Sequence, residues 1–113
     1  MWLVSATGFF SIVEKPWDRE NRTLTIRARV RQDLEALRER YLPTMGTISE
    51  DPGADYRFRA QAPREAVAVA LGALTRGIDY HNFKSEVARV QGRERAATYH
   101  DVWEVLRRMQ PRD

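Results

Sequence analysis

The chain has 113 residues, of which 42% are hydrophobic and 31% charged, a composition typical of a folded soluble domain. It contains no cysteine, which excludes disulfide scaffolds, thiol nucleophiles and cysteine-built metal sites. No apolar stretch approaches the ~20 residues of a membrane-spanning helix, and the N-terminus lacks the pattern of a signal peptide. We therefore expect a cytoplasmic protein that makes no membrane contact.

Arginine carries nearly all of the positive charge. Nineteen basic and sixteen acidic residues give a formal net charge of +3, and the only lysines are Lys15 and Lys84. Guanidinium groups bind phosphates and carboxylates through a planar fork and tolerate partial burial, which suits a binding surface. Arginine-rich codon usage is the competing explanation. Acidic residues are interspersed throughout, so the chain has no polybasic tail.

The first half of the chain is predicted to be rich in strands. Residues 1–6 and 9–15 predict a β-hairpin around a turn at Thr7 and Gly8. The polar residues 16–22, which include a proline, predict a surface loop. Residues 32–42 carry apolar side chains at helical spacing, and the helix is expected to end before Pro43.

Two further segments, residues 24–30 and 56–62, alternate apolar and polar side chains as half-buried strands do. Their polar positions are occupied mainly by arginine. The positions expected to face the core are Leu24, Ile26, Ala28, Val30, Tyr56, Phe58, Ala60 and Ala62.

The second half is predicted to be helical, with helices over 63–76, from about residue 82 to Gly92, and over about 95–109. Asp79 or Asn82 is expected to cap the middle helix. The last helix has the clearest amphipathic stripe, which predicts that Trp103 lies in the core. The stripe comprises Tyr99, Val102, Trp103, Leu106 and Met109.

Strands followed by helices predict an α+β fold with an antiparallel sheet of four or five strands and helices on one face. The β-α-β order is compatible with a ferredoxin-like variant. The length predicts one domain over residues 1–113, strand-rich over 1–62 with one helix near 32–42, and helical over 64–109.

Two short segments carry a resemblance to other proteins. Residues 78–84 (Ile-Asp-Tyr-His-Asn-Phe-Lys) and 99–103 (Tyr-His-Asp-Val-Trp) resemble a group of short bacterial proteins of unassigned function. The strand around residues 57–60 and the start of the chain at Trp2 are similar to that group as well. The resemblance implies no catalytic or binding residues.

The polar sides of the two alternating strands form the main candidate site. Four arginines would share one sheet face if helices cover the opposite face, and such crowding costs free energy unless acids, anions or a partner compensate it. We therefore predict a non-enzymatic binding protein whose partner is nucleic acid. A solvated face, paired with acids such as Glu14 and Glu50, is the alternative. The four candidate residues are Arg27, Arg29, Arg57 and Arg59.

Sheets that bind single-stranded nucleic acid usually add aromatic stacking platforms, and the outward positions of the two strands carry none. Trp2, Phe9 or Trp17 could supply a ring from elsewhere. The same three residues support a second hypothesis, because exposed aromatics also suit protein interfaces. In that case the protein is an interaction or regulatory subunit that binds a protein partner or forms a homo-oligomer.

A second candidate anion site comprises Arg89, Arg93 and Arg95 around Gly92, beside a predicted helix N-terminus. An exposed connection between helices explains the same residues. His81 and His100 are the only histidines and the only candidate bases for an enzyme, and no nucleophilic serine can be assigned to either. We therefore expect neither a metal nor another cofactor.

Overall fold

The computed structural model of the protein describes residues 1–112, which group into two units, residues 1–78 and the segment from residue 79 onward. The first unit holds every strand and the first three helices, and the second holds helices alone. The expectation of a single domain stays a prediction.

The first unit is built on one antiparallel sheet of five strands in the order β1-β2-β3-β5-β4, which confirms the predicted α+β class. Three helices connect or follow the strands: α1 (Asp18–Asn21), α2 (Arg31–Arg40) and α3 (Arg64–Arg76). The element order differs from the β-α-β-β-α-β order of the ferredoxin-like arrangement. The strands are β1 (Trp2–Val4), β2 (Phe9–Val13), β3 (Thr23–Ala28), β4 (Ser49–Glu50) and β5 (Phe58–Pro63).

One face of the sheet forms the core because its strands alternate in register. Ile12 lies opposite Ile26, and Ile26 lies opposite Ala60, so apolar side chains from three neighbouring strands share a face. Helix α2 covers this face with Leu34 and Leu37, which are 0% and 3% exposed, and α3 adds further apolar residues. The predicted inward positions of β3 and β5 from residue 24 to 28 and 58 to 62 are confirmed.

Val30 is an exception to the predicted alternation. β3 ends at Ala28, and Val30 occupies the N-cap position of α2, where its side chain is 37% exposed. The chain must leave the sheet to begin α2, so the alternation of β3 no longer determines where residue 30 points.

The opposite face of the sheet, called the outer face below, is polar and partly covered by α1. Residues 16–22 were expected to be a surface loop, but α1 lies within them and Asp18 is completely buried. The Asp18 carboxylate accepts hydrogen bonds from the Thr23 hydroxyl at 2.6 Å, the Thr25 hydroxyl at 2.8 Å and the Lys15 backbone N–H at 2.8 Å. The buried carboxylate thereby ties α1 to the start of β3.

The second unit pairs α4 (Phe83–Gln91) with α5 (Arg93–Leu106), and a short 3-10 helix (Arg107–Met109) follows. Asn82 caps α4 as predicted, since its side chain accepts a hydrogen bond from the Ser85 backbone N–H at 2.8 Å. The rings of Phe83 and Tyr99 stack at 5.9 Å between the two helices. Among residues 1–112, no helix combines the length and apolar composition required to cross a membrane.

The prediction that Trp103 is a core residue is wrong, because its side chain is 53% exposed. The stripe of α5 is longer than the helix that packs on it. The Trp103 ring lies 5.9 Å from Lys84, which is in the first turn of α4. The part of α5 after Trp103 therefore extends beyond the N-terminal end of α4. Leu106 and Met109, which continue the stripe, are 54% and 78% exposed.

Gly8 permits a close approach between the β1–β2 hairpin and α2. Asp33, in the first turn of α2, accepts a hydrogen bond from the Phe9 backbone N–H at 3.0 Å and is 5% exposed. A Cβ placed on Gly8 would lie 2.6 Å from both Cβ and Cγ of Asp33, which is closer than carbon atoms can approach. Asp33 must therefore move if residue 8 carries a side chain.

Gly8→Ala is expected to lower the free energy of unfolding by about 1–3 kcal/mol, the range for an overpacked site. Gly53→Ala is the matched control, because a Cβ there meets only a side-chain oxygen of Asp51 at an ordinary contact distance of 3.5 Å. Urea denaturation of the two variants measures the difference. Equal stability of the two would contradict the close packing of Gly8 against Asp33.

Candidate functional site

The register of the two central strands places Arg27 and Arg59 directly opposite each other on the outer face. Arg27 pairs with Arg59 in the β3–β5 ladder, and Ser11 of β2 lies opposite Arg27 on its other side. Directly opposed side chains are neighbours on one face, and two like charges in this arrangement destabilise the sheet. We call Arg27, Arg29 and Arg59, together with Tyr56, the arginine face.

The ring of Tyr56 organises the guanidinium groups of the arginine face. The guanidinium carbons of Arg27 and Arg29 each lie 4.8 Å from the centre of that ring, within the range of a cation–π contact. Arg59 donates a hydrogen bond to the Tyr56 backbone carbonyl at 3.2 Å, and Arg27 donates one to the Ser11 hydroxyl at 2.7 Å. Neutral groups of the protein therefore hold the three cations in place.

The positive charge of the arginine face has no counter-charge within the described chain. Among residues 1–112, no carboxylate lies within ion-pair distance of Arg27, Arg29 or Arg59. The Nε atoms of Arg27 and Arg59 are also buried and have no hydrogen-bond partner in that part of the chain. Each unsatisfied buried donor costs roughly 1–3 kcal/mol. The mutual repulsion of the three cations is a separate cost, which a bound anion would relieve.

Arg57, the fourth candidate, lies apart from the other three. Its guanidinium binds the Glu50 carboxylate at 2.6 Å and lies 5.8 Å from the centre of the Phe58 ring. Glu50 pairs with Phe58 in the β4–β5 ladder, so these two side chains share a face, and that face is the one that carries the core. The expectation that all four arginines share one face is therefore wrong for Arg57.

Tyr56 was expected in the core and instead belongs to the arginine face. β5 begins only at Phe58, and residues 52–56 form a turn and a bend, so the side-chain alternation of the strand does not extend to the residues before 58. Tyr56 and Arg57 consequently exchange the faces that the sequence pattern assigns to them. Tyr56 is nevertheless only 4% exposed, because arginines and a neighbouring aromatic ring cover it.

A chain of aromatic rings runs from Tyr56 to the edge of the sheet. The ring of Phe9 lies 6.2 Å from that of Tyr56, and the ring of Trp2 lies 5.7 Å from that of Phe9 at an interplanar angle of 89°. Trp2 is 68% exposed. Trp17, at the start of α1, is 50% exposed and makes no ring contact with these residues within the described chain. Two of the three aromatics named from the sequence thus adjoin the arginine face.

The second predicted cluster lies on either side of the Gly92 turn between α4 and α5. Arg89 binds both carboxylate oxygens of Glu86, at 2.8 and 2.9 Å. These hydrogen bonds and the opposite charges hold the pKa of Glu86 below its usual value and raise the pKa of Arg89. Arg95 contacts Tyr99, donating a hydrogen bond to its hydroxyl at 3.3 Å. Arg93 and Arg89 are both exposed beside the Gly92 turn, and an anion site there stays a prediction.

The two histidines lie in different surroundings within the second unit. His100 stacks on Trp103 at 5.3 Å, and its Nδ1 lies 2.9 Å from the Lys84 ammonium, whereas His81 is exposed before α4. Across residues 1–112, no cluster of three or more histidine, aspartate or glutamate side chains has the spacing of a metal site.

Sequence reasoning missed Asp18, whose carboxylate is hydrogen-bonded to Thr23 and Thr25 on the outer face. Burial disfavours the charged form and would raise the pKa of Asp18. Hydrogen bonds from Thr23, the Lys15 N–H and Thr25, together with the charge of Arg64, outweigh burial and hold the pKa of Asp18 below its usual value. The two threonines at alternate positions of a strand were the available signal, but nothing in the sequence places Asp18 against them.

No protein-family model, curated protein or solved structure matches this chain. What the arginine face can bind must therefore be inferred from its own residues.

Asp18→Asn is expected to lower the free energy of unfolding at pH 7 by about 1.5–3 kcal/mol, the range for hydrogen bonds to a charged group. The folded-state pKa of Asp18 lies below its unfolded value, so its contribution is complete above the unfolded pKa of about 3.9 and is lost as pH falls through the folded pKa. Urea denaturation between pH 7 and pH 3 should therefore show the two proteins converging in stability on acidification.

Glu39→Gln is the control, because Glu39 is an exposed carboxylate on α2. It should follow the wild-type protein at every pH. A stability gap between wild type and Asp18→Asn that stayed constant down to pH 3 would contradict the charged, hydrogen-bonded state assigned to Asp18.

Proposed function

We propose that the protein binds nucleic acid, and that the arginine face contacts the phosphate backbone. The observation that carries the proposal is the direct opposition of Arg27 and Arg59 without a carboxylate partner in the described chain. Such a pair lowers the stability of the free protein, and an anion bound between the two guanidinium groups would remove that cost.

The distribution of the cations favours a polyanion over a single small anion. Arg27 and Arg29 are neighbours along one chain segment and both contact the Tyr56 ring, and Arg59 lies across the ladder from Arg27, so the three arginines are distributed both along and across the strands. Arg29 is exposed, whereas Arg27 and Arg59 are half-buried. Successive phosphates of a nucleic acid strand can occupy such positions together, and arginine is well suited to phosphate oxygens.

The fixed positions of the guanidinium groups also favour binding. Arg27 and Arg59 are already held by Ser11 and by the Tyr56 carbonyl, so less side-chain entropy is lost when a ligand binds. Those hydrogen bonds leave other N–H donors of each guanidinium available for phosphate oxygens, because arginine has five.

A protein contact through Trp2 and Phe9 is the second candidate function. Trp2 is 68% exposed and lies on β1, an edge strand of three residues, where an exposed aromatic and open backbone groups suit association. A homo-oligomer formed in this way would show a sedimentation coefficient that rises with concentration. Replacing Trp2 by alanine should then restore the monomer, and a concentration-independent monomer would contradict this candidate.

The proposed function is tested with the variant Arg27→Gln/Arg59→Gln, titrated into labelled DNA and RNA at two salt concentrations. Wild-type affinity should fall steeply with salt, as phosphate contacts require, and the double variant should bind at least about tenfold more weakly with a shallower salt dependence. Circular dichroism should show that the variant remains folded, because the two replaced arginines form no ion pair with residues 1–112.

Arg57→Gln is the control, since it removes one positive charge just before β5, at a residue that Glu50 already neutralises, where the double variant removes two charges. It should retain most of the wild-type affinity. Equal affinities for Arg57→Gln and Arg27→Gln/Arg59→Gln, or no binding by the wild-type protein at low salt, would overturn the proposal.

A further inference from the structure

We infer that the ligand of the arginine face is single-stranded nucleic acid, with one base stacked on Trp2 beside the phosphates bound by Arg27 and Arg59. This inference rests on the proposed function and adds to it the class of nucleic acid and a residue that distinguishes that class. It follows from the position of Trp2 in the sheet, from its exposure and from the way its ring is held.

Trp2 lies in the same row of the sheet as the two opposed arginines. Trp2 pairs with Ser11, Ser11 pairs with Arg27, and Arg27 pairs with Arg59, so the row crosses four neighbouring strands. Residues paired in this way project from the same face. Neighbouring strands are about 4.8 Å apart, which places the backbone of Trp2 about 10 Å from that of Arg27.

The indole of Trp2 is exposed and held in a defined orientation. Its only ring contact in the described chain is with Phe9, at 5.7 Å and 89°. In an edge-to-face pair at most one face of the indole is covered, whichever ring supplies the edge. The exposed fraction of 68% therefore includes at least one open face of an aromatic ring. Phe9 in turn contacts Tyr56, so the Trp2 indole is connected through Phe9 to the arginine face.

An open aromatic face beside phosphate-binding arginines selects for unpaired bases. In a duplex the faces of the bases are stacked on one another, so a duplex presents its phosphates, sugars and groove edges to the row but no open base face. In a single strand a base can turn away from its neighbours and stack on an aromatic side chain, while the adjacent phosphates remain within reach of basic residues. The Trp2 row offers both contacts on one surface.

The loss of one base–aromatic stack weakens single-strand binding by about 5- to 150-fold. Trp2→Leu removes the aromatic face but keeps an apolar side chain on β1, and Trp2→Phe keeps a smaller aromatic face. We expect Trp2→Leu to lose affinity for single-stranded DNA and RNA oligonucleotides of about 12 nucleotides, within the usual site sizes of such proteins. Trp2→Phe should retain most of that affinity.

Duplexes of the same length and sequence provide the internal control. Their affinity should be the same for wild type, Trp2→Leu and Trp2→Phe, which also shows that the arginine face is intact when β1 carries the substitution. Trp17→Leu is the control for loss of an exposed tryptophan, because Trp17 is 50% exposed and lies outside the row. It should leave both affinities unchanged.

Fluorescence gives a second readout that does not depend on affinity. In the variant Trp17→Phe/Trp103→Phe, Trp2 is the only tryptophan, and a stacked base should quench its emission when the single-stranded oligonucleotide is added. The equivalent duplex should leave the emission unchanged.

The outcomes separate this inference from the proposed function. If Arg27→Gln/Arg59→Gln loses binding while Trp2→Leu binds single strands as tightly as Trp2→Phe, the inference is overturned and the proposed function stands. An equal loss by Trp2→Leu for duplex and single strand would also overturn the inference, because stacking would not explain it. If neither variant changes the affinity, both are overturned.

Discussion

The antiparallel register of β3 and β5 determines what each face of the sheet carries. The same ladder that opposes Ile26 and Ala60 in the core opposes Arg27 and Arg59 on the outer face. Side chains alternate with a period of two, so a slip of one residue would bring the arginines into the core and expose the apolar side chains. Burial of the apolar face under α2 and α3 therefore fixes the arginine pair as well, although that pair is unfavourable in itself.

The outer face contains two sets of buried polar groups, one around Asp18 and one around Arg27, which differ in whether their charge is paired. Around Asp18 the carboxylate is fully paired with two hydroxyls and a backbone N–H, and this end of the face is closed by α1. Arg27 lies two residues after Thr25 on β3. Its neighbours are the Ser11 hydroxyl and the Tyr56 ring, and no acid pairs with it among residues 1–112. The difference explains why we assign structure to the first group and ligand binding to the second: the first satisfies its own charge, and the second does not.

The alternation of apolar and polar residues in the sequence predicted the correct face for the residues of β3 and β5 that are paired in the sheet. The apolar residues from Leu24 to Ala28 and from Phe58 to Ala62 face the core as their sequence pattern indicates, because hydrogen-bonded strands constrain each successive residue to the opposite side. Tyr56 and Arg57 continue the same pattern in the sequence but precede the strand. The alternating sequence pattern therefore predicted a cluster of four arginines without an aromatic ring, whereas the structure contains three arginines around Tyr56.

The remaining differences depend on contacts between distant residues. Asp18 could not be recognised as buried, because its burial requires that α1 fold back onto Thr23 and Thr25. Trp103 lies on a well-formed amphipathic stripe, but helical periodicity shows only which side of a helix is apolar and not how far its partner extends. The cap of α4 was more predictable, since Asn82 bonds a backbone group only three residues away.

A double-mutant cycle on Arg27 and Arg59 tests most directly whether the opposed arginines repel each other in the free protein. The free energy of unfolding would be measured at low salt for wild type, Arg27→Gln, Arg59→Gln and the combined variant. Either single change removes the repulsion between the two arginines, and the double change removes that same repulsion and no more. The combined variant should therefore be less stable than the sum of the two single effects predicts, by about 0.2–1 kcal/mol. This difference should shrink as salt is added. Additive effects at low salt, or a coupling of the opposite sign, would show that the pair is already compensated and would contradict the basis for assigning it a phosphate ligand.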